Sequence, residues 1–63
     1  MCLSTVYRNE VKKENVLCYD VTAIETEGKT VTLTDLFGRT LTVEGALRRA
    51  DLTGGTVVLE VAE

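Results

Sequence analysis

Two short runs in the middle of the chain limit its fold more than anything else in it. Thr30-Val31-Thr32-Leu33-Thr34 alternates strictly between threonine and aliphatic residues, and Arg39-Thr40-Leu41-Thr42-Val43-Glu44 alternates again. A period of two marks a strand with one buried face, because successive side chains leave a pleated backbone on opposite sides. β-Branched threonine and valine suit that half-buried surface. The spacing places Val31 and Leu33 on the inward face of one strand and Leu41 and Val43 on that of the next. Asp35-Leu36-Phe37-Gly38 joins them, and a short glycine-ended connection between two such runs predicts a hairpin.

The rest of the chain follows the same pattern less cleanly. Residues 3–7 are rich in β-branched and aromatic side chains and read as a first strand. Residues 8–15 hold Arg8, Glu10, Lys12, Lys13 and Glu14 around a lone Val11, which predicts a solvated loop or a single helical turn. Val16–Glu27 is apolar at Val16, Leu17, Cys18, Val21, Ala23 and Ile24, too irregular for alternation, and a bulge or sharp bend near Asp20 would let it wrap around a core. Gly28 supplies a turn. Residues 45–52 read as a single turn followed by a short strand ending at Leu52, because so brief a helix is poorly stable. Thr53-Gly54-Gly55 then turns into a last strand, residues 56–61. Val57, Leu59 and Val61 share one face of it, and Val58 faces the other way, towards a partner chain. The fold class is therefore all-β: a small, strongly curved antiparallel sheet or an SH3/Sm-like barrel of five to six short strands, one domain over residues 1–63.

A chain of 63 residues has a marginal core and commonly gains support from a metal or a second subunit. Two cysteines cannot form a disulfide framework. There is no proline to blunt an edge strand, so pairing with an identical chain in a two-fold homodimer is expected. No signal peptide and no membrane-spanning run is visible, and free cysteines fit a reducing cytoplasm.

Function classes narrow quickly. The net charge is −3, the basic residues are dispersed, and few aromatics are present for base stacking. An RNA-binding small barrel is the alternative reading, with Arg39, Arg48 and Arg49 as its phosphate contacts. Enzymatic chemistry is disfavoured: the chain has no histidine for acid–base work or for activating a cysteine. Its carboxylates are scattered, and no phosphate-cradling glycine loop is present.

Metal binding remains, and it points to the first two residues. A structural zinc site wants four Cys or His ligands, more than this chain offers. At a free end, however, the Cys2 thiolate and its own backbone nitrogen can close a five-membered chelate, and the Met1 amine can close a second. Such donors favour square-planar nickel(II), with copper and zinc as competitors. Cys18, flanked by Leu17 and Tyr19 in a strand, reads as a small buried hydrophobe. A Cys2–Cys18 disulfide is the competing fate of both thiols if the first two strands pair.

The opening Met1-Cys2-Leu3-Ser4-Thr5-Val6-Tyr7 is similar to that of the CooT family. The likeness continues through Asn15-Val16-Leu17, the Gly28 turn and Thr32-Leu33-Thr34-Asp35-Leu36-Phe37-Gly38. It reaches the end through Val43-Glu44-Gly45, Ala50-Asp51-Leu52 and Val57-Val58-Leu59. The resemblance implies a homodimer of small β domains that binds nickel(II) through Cys2 near the subunit interface. It also implies a role in holding or delivering nickel for carbon monoxide dehydrogenase. Only Met1 and Cys2 carry over as site residues.

Overall fold

The computed structural model describes residues 3–61. They form one six-stranded sheet: β1 (Ser4–Arg8), β2 (Val16–Glu27), β3 (Thr30–Asp35), β4 (Thr40–Glu44), β5 (Ala46–Asp51) and β6 (Thr56–Glu60), in the spatial order β4-β3-β2-β1-β6-β5. A single 3₁₀ turn at Lys13–Asn15 interrupts the charged loop before β2. No helix of the described residues is long and apolar enough to cross a membrane.

The predicted alternation is realised in β3, where Val31, Leu33 and Asp35 are buried and the threonines between them are half-exposed. Val31 and Leu33 join Val6, Val21, Val57 and Leu59 in one cluster, with Leu17, Cys18, Ile24, Val43 and Val61 packed against it. β2 runs unbroken through Val16–Glu27 and bends where its sequence loses its period. Asp20 takes a φ of 56°, and the pairing with β1 slips between Ser4↔Val21 and Val6↔Cys18. Aspartate tolerates that left-handed backbone better than most residues, and the slip lets β2 curl so that both its halves reach the core.

Three expectations need correction. The sheet is mixed rather than antiparallel, since β1 and β6 run parallel over Thr5↔Thr56 to Arg8↔Leu59. The cause is Gly45. β4 and β5 continue in one direction through this single residue, so β6 returns alongside β1 in the same sense. A Cβ at position 45 would run into the Glu60 carbonyl oxygen, so only glycine fits the corner. The sheet is also not closed into a barrel, because β4 and β5 end the strand order without pairing to each other. Finally, no turn precedes β5, which begins at Ala46 directly after Gly45.

Two inward assignments also shift. Leu41 is 38% exposed because β4 is an edge strand with no neighbour on its far side. Val58, expected to face a partner, is buried within the chain itself. At the far end of β1, Asn9 (φ 65°) ties the first and last strands together. Its Oδ1 accepts from the Val61 N–H at 2.9 Å, and its own N–H donates to the Leu59 carbonyl at 2.7 Å.

Candidate metal centre

Met1 and Cys2 lie outside the described residues; the structure does describe the place from which they extend. β1 enters the sheet at Ser4, which is buried and stands opposite Val21 of β2. On the other side, the Thr5 N–H donates to the Gly55 carbonyl at 2.8 Å. Gly55 takes a φ of 70°, and a Cβ there would stand 3.0 Å from the Leu3 carbonyl oxygen. The Thr53-Gly54-Gly55 turn is therefore what lets the chain approach β1 closely at its first residues.

An open cavity of about 470 Å³ adjoins this entrance, lined by Ser4, Val21, Ile24, Leu52 and Val57 among others. Leu3 and Leu52 are exposed at the same end. Sequence reasoning missed this cavity. Its walls come from three strands and a turn, so no local pattern announces it.

Cys18 is the one free cysteine among the described residues and is half-buried against the core. Its Sγ lies 3.6 Å from the Tyr19 carbonyl oxygen. Burial raises its pKa, and the Asp35 and Asp20 carboxylates raise it further, against a partial offset from Arg39. A raised pKa makes a thiol a weaker metal ligand, because the thiolate is the ligating form. β1 and β2 do pair, as the disulfide alternative required. Cys18, however, stands opposite Val6, and Cys2 lies outside the described residues. No group of three or more His, Cys, Asp or Glu side chains among the described residues could hold an ion.

The three arginines of the RNA reading are not gathered into one patch. Arg39 precedes β4 at one edge of the sheet, while Arg48 and Arg49 lie on β5 at the other. Arg39 is also engaged: its Nε donates to Asp35 Oδ2 at 2.8 Å and its guanidinium lies 5.4 Å from the Phe37 ring centroid. Arg48 donates to the Asn9 carbonyl at 3.3 Å.

Asp35 was not singled out from sequence, although an aspartate three residues before a glycine is a turn signal. Its Oδ1 accepts the Phe37 and Arg39 N–H groups, each at 2.9 Å, and so shapes the β3–β4 connection. Burial by itself would raise its pKa. The backbone and side-chain bonds from Arg39 and the Phe37 N–H outweigh that and hold the carboxyl below the usual aspartate range. A depressed folded-state pKa stabilises the fold above the unfolded value of about 3.9. That stability is lost as pH falls through the lower folded value. In urea unfolding, Asp35→Asn is expected to lower the midpoint at neutral pH, with the gap from the parent chain shrinking under strong acid. An equal gap at both pH values would show that the charge is not what matters.

A family model described as CO dehydrogenase accessory protein CooT matches residues 1–60. The chain belongs to the CooT family. The match includes Met1 and Cys2. The fold of this CooT chain is also that of the crystal structure assigned to CooT from Carboxydothermus hydrogenoformans, at a TM-score of 0.83 and 18% identity, covering 98% of this chain and 100% of that one. No curated protein sequence matches. The CooT family is thus an accessory family of CO dehydrogenase, carried here on a curved, open, mixed sheet.

Proposed function

We propose that this chain is a nickel(II)-binding accessory protein that holds or delivers the ion for carbon monoxide dehydrogenase and catalyses no reaction itself. The observation that carries this reading is the family match, which begins at residue 1 and so takes in the Met1-Cys2 pair. The Cys2 thiolate is the principal donor, with its backbone nitrogen and the Met1 amine completing chelate rings around a cargo ion that prefers such planar donors. The packing of Cys18 against the core, where burial raises its pKa, supports Cys2 as the sulfur that binds the ion.

The working unit in this reading is a homodimer with Cys2 near the shared face. Exposed Leu3 and Leu52 and the open cavity beside Ser4 support apolar contact at that end. Two N-terminal ends meeting there would offer two sulfurs and several nitrogens to a single ion.

Native mass spectrometry after loading with nickel tests this reading. Nickel retained on a species of twice the chain mass, with Met1 present in the measured mass, is the expected result. A chain that keeps no nickel through desalting contradicts it.

A further inference from the structure

β2 is longer than the strand beside it. β1 begins at Ser4, opposite Val21, while β2 runs on to Glu27 with no described strand on that side. Across β1, the turn at residues 52–55 closes on the same end, where the Thr5 N–H meets the Gly55 carbonyl. Ala23 and Ile24 of β2 and Leu52 of that turn thus border a slot in line with β1, and the open cavity of about 470 Å³ is this slot.

One polar group inside it has no role in holding the fold. Ser4 is only 8% exposed and lines the cavity, yet its hydroxyl makes no hydrogen bond with another described residue. A hydroxyl buried without a partner costs stability, and alanine would take the same place without that cost. Thr22, the other hydroxyl of the walls, is satisfied by the Thr34 carbonyl at 3.3 Å. The other walls are aliphatic, and no charged side chain lines the cavity. The result is an apolar recess with one spare hydrogen-bond donor.

The pleat of β1 indicates what that donor faces. Ser4 and Val6 are its buried residues, with half-buried Thr5 between them. Alternation carried back by one period sets position 2 on the face of Ser4 and position 3 on the opposite face, in keeping with the exposure of Leu3. Residues two apart on a strand lie about 6.6 Å from Cα to Cα. Two small side chains leaning together across that gap come within hydrogen-bond reach.

We propose that this cavity receives the Cys2 side chain, with the Ser4 hydroxyl donating a hydrogen bond to its sulfur and Leu52 covering it from solvent. The proposal rests on the nickel reading above and adds to it two positioning residues for the ligating sulfur. A hydroxyl bonded to a metal-bound sulfur orients that ligand and draws charge from it. An apolar cover limits the access of water and of thiol-reactive molecules.

Two measurements test it, both on the Cys18→Ser chain so that Cys2 is the only thiol. In the nickel-loaded protein, Ser4→Ala is expected to move the sulfur-to-nickel absorption band to longer wavelength and to weaken binding roughly 10–100-fold. Ser4→Thr, whose extra methyl the cavity has room for, restores both. A merely structural Ser4 would show in the urea midpoint instead, which Ser4→Ala is expected to leave in place or raise. In the metal-free protein, Leu52→Ala is expected to speed alkylation of Cys2 by iodoacetamide severalfold, whereas Leu47→Ala on β5 leaves the rate unchanged. Circular dichroism checks folding, and if Ser4→Ala is unfolded the alkylation rates decide alone. A band and affinity indifferent to Ser4→Ala, or a rate indifferent to Leu52→Ala, overturns the proposal while nickel binding by the parent chain keeps the accessory reading in place. A Leu52 effect in a chain that binds no nickel supports the covered sulfur and overturns only the nickel reading.

Discussion

Leu59→Ala is expected to leave the chain largely unfolded, or folded only with a urea midpoint close to zero. Leu59 is fully buried in the single core cluster, on the strand that links β1 to β5. Truncating such a leucine costs about 2–5 kcal/mol, through lost transfer energy and the cavity left behind. A chain of 63 residues has roughly 3–9 kcal/mol of stability in total, so this one change removes a large part of it. Leu52→Ala is the control. That side chain is 68% exposed, and its loss should shift stability by no more than about 0.5 kcal/mol. Urea unfolding followed by circular dichroism separates the two. Equal midpoints would mean that the described cluster is not where the fold is held.

Cys2→Ser is expected to weaken nickel binding by more than the roughly 10–100-fold that loss of an outer-shell partner costs a metal site. A serine hydroxyl stays protonated near neutral pH and is a harder, weaker donor than a thiolate, while the terminal amine and backbone nitrogen remain. Cys18→Ser should bind as the parent does, because Cys18 is packed against the core, where burial disfavours its thiolate. Binding should also strengthen as pH rises towards the ordinary values of a thiol and a terminal amine, about 8.5 and 7.7–8.0, because both must lose protons to ligate. Equilibrium dialysis of the parent and the two variants, at two pH values, reads all of this. Loss of binding in Cys18→Ser with retention in Cys2→Ser would reverse the assignment.

What could be read from the residues depended on how local the cause was. The β3 alternation put Val31 and Leu33 in the core without knowledge of any neighbour, because a period of two is a property of the strand alone. The kink in β2 was visible as a broken period, and Asp20 supplies it with a backbone conformation that few other residues adopt readily. Leu41 shows the limit. Its place in the alternation is inward, yet its exposure depends on whether another strand flanks β4, which no feature of residues 39–44 encodes. The parallel pairing of β1 with β6 was hidden for the same reason: it follows from the direction the chain keeps through Gly45. The cavity beside Ser4 was hidden because Leu52, Val21 and Val57 meet only once the sheet has curved. Met1 and Cys2, by contrast, were selected on donor chemistry and lie beyond the described residues.

The most direct test of the central claim is an absorption titration of the metal-free chain, its intact N-terminus verified by mass, with nickel(II). A sulfur-to-nickel charge-transfer band that grows to saturation, persists in Cys18→Ser and is absent in Cys2→Ser is the result this account predicts. A titration with no such band, or a band that survives in Cys2→Ser, would contradict it.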